Sequence, residues 1–254
     1  MPKLSRTPPV AIRKQLRREV GFGCPVKGCG TPYLEYHHFD PPWHVEQHHR
    51  PEGMVALCSV HHRKADAWTA EQCRELKEQS HTAEVSGRFE WMRHEVVGIV
   101  GGNFYHETPN MVVFRDQPII WFDRDERGYL LLNIRMLSAS GQPRTELIAN
   151  DWEIRGDPLD VDSPPNGSSL RVQYANGDDV GVRFKVWESA EILEAVHPRI
   201  LVLKDELDFP LVTAEVHMTV GGTNIRFDSK ESQIDGGLLT GNVMSRCGAG
   251  LVFG

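Results

Sequence analysis

The chain is 254 residues long, a quarter of them charged, with 12 histidines, five cysteines and a formal net charge of −7. That length suits one large or two ordinary domains, and no apolar run approaches the roughly 20 residues needed to cross a bilayer, so a membrane protein is not expected. An odd number of cysteines, with nothing resembling a secretory leader, argues against a disulfide-built secreted domain and for a reducing, cytoplasmic setting.

The charge is unevenly spread. Residues 1–94 carry 14 Lys+Arg against 11 Asp+Glu, a balance of +3, and the remainder carries −10. A polyanion such as double-stranded DNA is drawn to the first part and repelled by the second. The first 18 residues hold six basic side chains (Lys3, Arg6, Arg13, Lys14, Arg17, Arg18) and no acid. Pro8 and Pro9 mark residues 1–9 as a loose basic arm. From Ala11 to Val20 the apolar Ile12, Leu16 and Val20 recur at i, i+4 and i+8, which predicts a short helix with basic residues on its other faces. Arg13, Lys14 and Arg17 are candidate DNA contacts on that helix, a plain solvated face being the alternative.

Seven histidines and three cysteines crowd between Cys24 and Trp68. Two closely spaced pairs, Cys24 with Cys29 (C-x4-C) and Cys58 with His61 (C-x2-H), are separated by a few tens of residues, the spacing of a four-ligand structural zinc site. Gly23, Pro25, Gly28 and Gly30 surround the first pair with turn formers, which suits a metal knuckle better than plain buried thiols. Leu34 to Phe39 reads as a strand, so His37 and His38 should point to opposite faces, and Pro41 and Pro42 should end it soon afterwards. Met54 to Leu57 predicts a second strand leading to a helix near Val60. Thr69 with Gln72 three residues on has the capping-box pattern of another helix, with Cys73 and Leu76 on its inner face.

These elements, with the segments YLEYHHF and VALCSVHH, resemble the HNH (His-Me finger, ββα-metal) endonuclease family with a zinc clip, over about residues 10–80. The resemblance implies that His37 and His62 hold a catalytic divalent ion, Mg²⁺ or Mn²⁺, and that His38 is the general base. Its unperturbed pKa near neutrality suits that role. Arg50 and Arg63 are candidates to hold the scissile phosphate, since a guanidinium matches phosphate oxygens in pairs. The family's central Asn is replaced here by Gly53. In the family that Asn braces the loop, so His49 or Arg50 is expected to brace it instead.

Beyond about Glu95 the texture changes to short alternating strands. Leu130 to Met136, Leu170 to Tyr174, Val182 to Val186 and Val212 to Val220 alternate apolar and polar, with a turn at Asn176-Gly177 and one helical hint at Glu188–Val196. The expected architecture is α+β: a basic arm and helix (1–20), a zinc-stabilised ββα-metal domain (21–80), a linker (81–95), and a mostly antiparallel all-β sandwich or barrel (96–254). His94, His106, His197 and His217 are expected as surface residues, and Cys73 and Cys247 as plain thiols. Acidic turns at Asp123, Asp125 and Glu126, and at Asp157, Asp160 and Asp162, are candidate cation sites or plain solvated turns.

The function expected is hydrolysis of DNA phosphodiester bonds, with the β domain sensing or assembling, through a partner protein or a second copy, as in bacterial antiviral defence. Two alternatives stay open. One is a zinc-stabilised DNA-binding or adaptor module with a decayed finger. The other is a restriction-type enzyme whose β domain reads DNA.

Overall fold

The computed structural model describes residues 4–79 and 84–254. Lys3 of the basic arm and residues 80–83 at the start of the expected linker lie outside the described residues. The protein is mixed α+β, mostly sheet with few and short helices. It divides into two compact units, one comprising the chain up to Gly87 with Leu159–Leu170, the other Arg88–Pro158 with Arg171–Gly254. The first unit therefore takes a segment from the middle of the region expected as one continuous β domain.

In the first unit, helix α1 (Val10–Glu19) buries Leu16, and Val20 at its C-terminal end, as the i, i+4 stripe predicts. Strands β1 (Leu34–His38) and β2 (Met54–Cys58) pair antiparallel, with Leu34 opposite Cys58 and His38 opposite Met54. Every residue of β2 is buried, which its unbroken apolar run requires. Helix α2 (Ser59–Lys64) follows β2 without a loop, and a 3₁₀ turn (Ala65–Ala67) leads towards α3 (Ala70–Glu78). The capping box at α3 is formed: Gln72 N donates to Thr69 Oγ1 (3.2 Å) and Thr69 N to Gln72 Oε1 (2.9 Å). Leu16, Val20, Leu34, Met54, Leu57 and Cys73 share one core.

Arg17 departs from expectation. It does not lie on an open basic face; it is 2% exposed, with Nε and Nη2 donating to the Asp160 carboxylate (3.0 and 2.7 Å) and Nη1 to the Tyr36 hydroxyl (2.8 Å). Asp162 Oδ1 lies 3.1 Å from Nη1. Burial opposes the charge, and the Asp160 bonds with Tyr36 and Asp162 outweigh it, raising the guanidinium pKa. This fork is the polar tie between α1 and the inserted segment 159–170. It also removes Arg17 from the DNA-contact candidates and Asp160 from the candidate cation ligands.

The second unit holds two sheets. One runs Ala249–Phe253, Asn110–Phe114, Gln117–Arg124, Leu130–Arg135, Glu146–Ile148, Asp151–Glu153. The other is centred on Asp179–Trp187 and Leu211–Thr219, antiparallel and in register over nine residues each. Val212, Ala214, Val216 and Met218 are buried, as their alternation predicts. Thr213 is buried too, because it accepts a hydrogen bond from Trp187 Nε1 (2.9 Å). Parallel pairings join Val97–Val100 with residues 213–216, Val243–Ser245 with 104–106, and Ala249–Phe253 with 110–114. Two of these come from the glycine-rich C-terminal stretch, whose strands run parallel to two earlier strands in different sheets, an order that periodicity does not reveal. The helical hint becomes a helix at Ala190–Glu194. His106 is a correction: it is 2% exposed, its Nδ1 3.1 Å from Ser245 Oγ and its Nε2 3.3 Å from Glu95. No helix among the described residues is long and apolar enough to cross a membrane.

Candidate metal and catalytic site

The first knuckle is a tight loop. Cys24 N donates to Thr31 O (2.9 Å), Cys29 N to Val26 O (2.9 Å) and Gly30 N to Cys24 O (3.2 Å). Gly28 and Gly30 take positive φ (79° and 63°), the conformation that favours glycine. Cys58 ends β2, and His61 lies on the first turn of α2. One donor atom from each of Cys24, Cys29, Cys58 and His61 lies within 4.8 Å of all the others. The Cys29 and Cys58 sulfurs are 3.8 Å apart, and His61 Nδ1 is 3.4 Å from the Cys24 sulfur and 3.2 Å from that of Cys58.

Zinc bonds of about 2.3 Å to sulfur and 2.0–2.1 Å to nitrogen give tetrahedral edges of about 3.8 Å between sulfurs and about 3.5 Å from sulfur to nitrogen. The Cys29–Cys58 edge of 3.8 Å matches, the two sulfur–nitrogen edges of 3.4 and 3.2 Å come close, and the cysteines are free of disulfides. Burial pushes the Cys24 thiol up to about 12, so holding it as a thiolate takes a cation close by. Burial acts on Cys29 in the same sense, but hydrogen bonds from Thr31 and the neighbouring thiols outweigh it and lower its pKa. The four residues fit a structural zinc ion.

The two histidines of β1 separate as strand geometry requires. His37 meets the His62 ring edge-on, with centroids 5.4 Å apart, and its Nδ1 lies 4.0 Å from the Asp66 carboxylate. His62 Nδ1 lies 3.3 Å from Glu35 Oε2, and Ser59 Oγ donates to Glu35 Oε1 (2.5 Å). His38 belongs to a different group, with ring centroids 4.6 Å from Trp43, 5.3 Å from His48 and 5.8 Å from His49. Trp43 and His49 stack on each other. His38 is 5% exposed and neither ring nitrogen has a hydrogen-bond partner. Burial, then the neighbouring His48 and His49, pull its pKa down to about 4, against a small opposing pull from the His48 backbone. Burial and His62 lower His37 likewise, against the pull of Asp66.

Glu35 and Asp66 had not been singled out from the sequence, and His48, which reads there together with His44 as a solvent- or DNA-facing loop residue, is instead 5% exposed. Glu35 stands two residues before His37, on the same strand face. Asp66 stands one helical turn after His62. Those offsets were the available signals. His48 offered none, being one of several histidines in a loop.

The remaining candidates are dispersed. Arg50 is exposed and paired with Glu46 (2.9 Å), and Arg63 Nε donates to Ser59 O (3.2 Å). Arg13 and Lys14 are half-buried on α1. Among the described residues, the zinc-type cluster is the one group of three or more Cys, His, Asp or Glu donors close enough to ligate together. In the second unit a cavity of about 290 Å³ is lined by Glu95, Tyr105, His106 and Phe122, among others. Tyr105 is 1% exposed and its hydroxyl is unpaired.

No protein-family model, curated protein or solved structure matches the chain.

Proposed function

We propose that the first unit is an HNH-type, ββα-metal endonuclease finger that hydrolyses phosphodiester bonds in double-stranded DNA. The observation that carries this reading is the division of adjacent histidines between two faces of β1 beside a zinc-type cluster. His37 lies against His62 of α2, and His38 lies in its own aromatic niche. His38, neutral at ordinary pH, accepts the proton of the attacking water. The new bond joins that oxygen to phosphorus, the bond to the 3′-oxygen breaks, the departing oxygen takes a proton from solvent, and the products are a 5′-phosphate and a 3′-hydroxyl.

His37 and His62 would hold a Mg²⁺ or Mn²⁺ ion, which when bound polarises the phosphate and stabilises the departing oxyanion. Glu35, beside Nδ1 of His62, would hold that ring in place behind the ion, the usual task of a carboxylate next to a ligating histidine. Arg50 and Arg63 stand as candidates for the phosphate, and Arg13 and Lys14 for the flanking backbone.

A zinc-stabilised DNA-binding or adaptor module with a decayed finger is the second reading. It is favoured by the shielding of both His38 nitrogens and by the lack, among the described residues, of a third close donor beside His37 and His62. The two readings part on one experiment: supercoiled plasmid incubated with the protein and Mg²⁺ or Mn²⁺, then treated with ligase. Nicks that form only with the ion and reseal directly support hydrolysis to 5′-phosphate and 3′-hydroxyl ends. Plasmid bound but uncut leaves the adaptor.

The second unit is assigned to sensing or assembly, in a defence-type effector, rather than to reading DNA. Its acidic balance supports that assignment, as does the cavity with an unpaired tyrosine hydroxyl on its wall.

A further inference from the structure

We infer that His48 is the positioning residue for His38, holding the loop between β1 and β2 by bonds at both of its ends. The inference rests on the nuclease reading for what the positioning serves. His48 is 5% exposed. Its Nε2 lies 2.9 Å from Pro41 O and its Nδ1 accepts from Arg50 N (3.1 Å). A carbonyl can only accept, so Nε2 carries the proton and the ring is the neutral Nε2–H tautomer. One imidazole thus ties the residues after β1 to those before β2, alongside the backbone bonds that close the loop at Gly53.

Gly53 makes room for this arrangement. A Cβ at position 53 would fall 1.9 Å from Asp40 O and 3.0 Å from His48 Cε1. Gly53 O accepts instead from Phe39 N (2.9 Å) and Asp40 N (3.2 Å). The loop therefore closes directly on a bare backbone, with the imidazole beside it. His38 lies against this braced segment: the His48 ring meets it edge-on, and the His48 backbone is close enough to act on its charge. Since His38 has no hydrogen bond of its own through the ring, its orientation is set by what packs on it. Of the two expected braces, His49 stacks on Trp43, while Arg50 gives its backbone N–H to His48 and pairs its side chain with Glu46 of the same loop.

The test compares His48→Phe, which keeps the ring and loses both bonds, with His48→Gln, which restores a donor and an acceptor. Zinc content and thermal melting check the fold. Hydrogen exchange at the Arg50 amide reads the brace without reference to activity, and plasmid cleavage reads the positioning. His48→Phe should speed Arg50 exchange about ten-fold, the size of one lost backbone hydrogen bond. It should lower kcat about 10- to 100-fold with KM little changed, as a misplaced catalytic group does. His48→Gln should recover part of both. Unchanged exchange in His48→Phe overturns the brace, and faster exchange with unchanged kcat overturns the positioning role. If His48→Phe fails to fold, His48→Gln decides: Arg50 protection and kcat near wild type support the inference, and protection with kcat lost overturns it. Wild-type protein that cuts nothing sinks the nuclease reading instead, while the Arg50 amide still reports on the brace.

Discussion

The first unit gathers a two-stranded hairpin, three short helices and a thiol–imidazole cluster around a small core. The second is built on long paired strands, with Trp152 and Trp187 fully buried among its residues. The smaller of two units buries the smaller fraction of its surface on folding, so it gains more from ties other than apolar contact. The first unit supplements its core in two ways, with a four-ligand cluster and with the inserted segment 159–170 held through Arg17. The second needs neither, because its strands satisfy one another's backbone groups. The contrast shows where each unit is vulnerable: the first at a few side chains, the second only through its sheets or its buried ion pair.

Loss of the zinc site should separate the two units most strongly. Structural zinc contributes on the order of 10–16 kcal/mol in finger peptides, so Cys58→Ser should unfold the first unit and leave the near-ultraviolet signal of Trp152 and Trp187 in place. Elemental analysis should find close to one zinc per chain in the wild type. A Cys58→Ser protein whose first unit melts like wild type would remove the clip from the account.

Next in size is the Arg17–Asp160 fork. Asp160→Ala leaves a buried guanidinium with its main partner gone, which costs about 3–5 kcal/mol, and the loss should appear as a lower melting temperature of the zinc-loaded first unit. For the same reason a fragment ending near residue 90 should be much less stable than the first unit in the whole chain. Equal stability of fragment and full chain would show that the inserted segment is dispensable. The matching test in the second unit is Asp178→Ala, which strips the partner from buried Arg144 (2.6 Å).

Acid should separate the two units by pH. Cysteine and histidine ligands take up protons and release zinc as pH falls. In the second unit, burial works against the Asp179 charge, but hydrogen bonds from His217, Arg171 and Gln173 outweigh it and hold its pKa well below the ordinary value. Asp178 and Glu215 are lowered by their own partners in the same way. A carboxyl whose folded pKa lies below its unfolded value, about 3.9 for Asp and 4.3 for Glu, lends its full stability above that value and loses it as pH falls through the folded one. Zinc release to a chelating dye should therefore precede the loss of the Trp152 and Trp187 signal, which should persist to about pH 4. The reverse order would contradict the assignment. The smallest effect expected is Thr69→Ala at the capping box of α3, about 1 kcal/mol by thermal melting.

What could be read from the sequence follows physical range. The Cys/His cluster, strands β1 and β2 and the α3 cap are local patterns, and each carries a spacing or residue type that points to its arrangement. Alternation marked Val212 to Met218 correctly, since a sheet with one buried face imposes period two. Arg17 was misread because its partner is 143 residues away, and nothing near it distinguishes a buried arginine from a surface one. The parallel C-terminal pairings and the inserted segment were hidden for the same reason. His48 escaped because its role depends on the absence of a side chain at Gly53.

The most direct measurement is metal-dependent cleavage of supercoiled plasmid by wild type and His38→Ala, both carrying zinc. Wild type should nick with Mg²⁺ or Mn²⁺, and His38→Ala should cut about 10²–10⁴-fold more slowly, with fold and zinc content unchanged. Cleavage by His38→Ala at the wild-type rate, or none by the wild type with either ion, would contradict it.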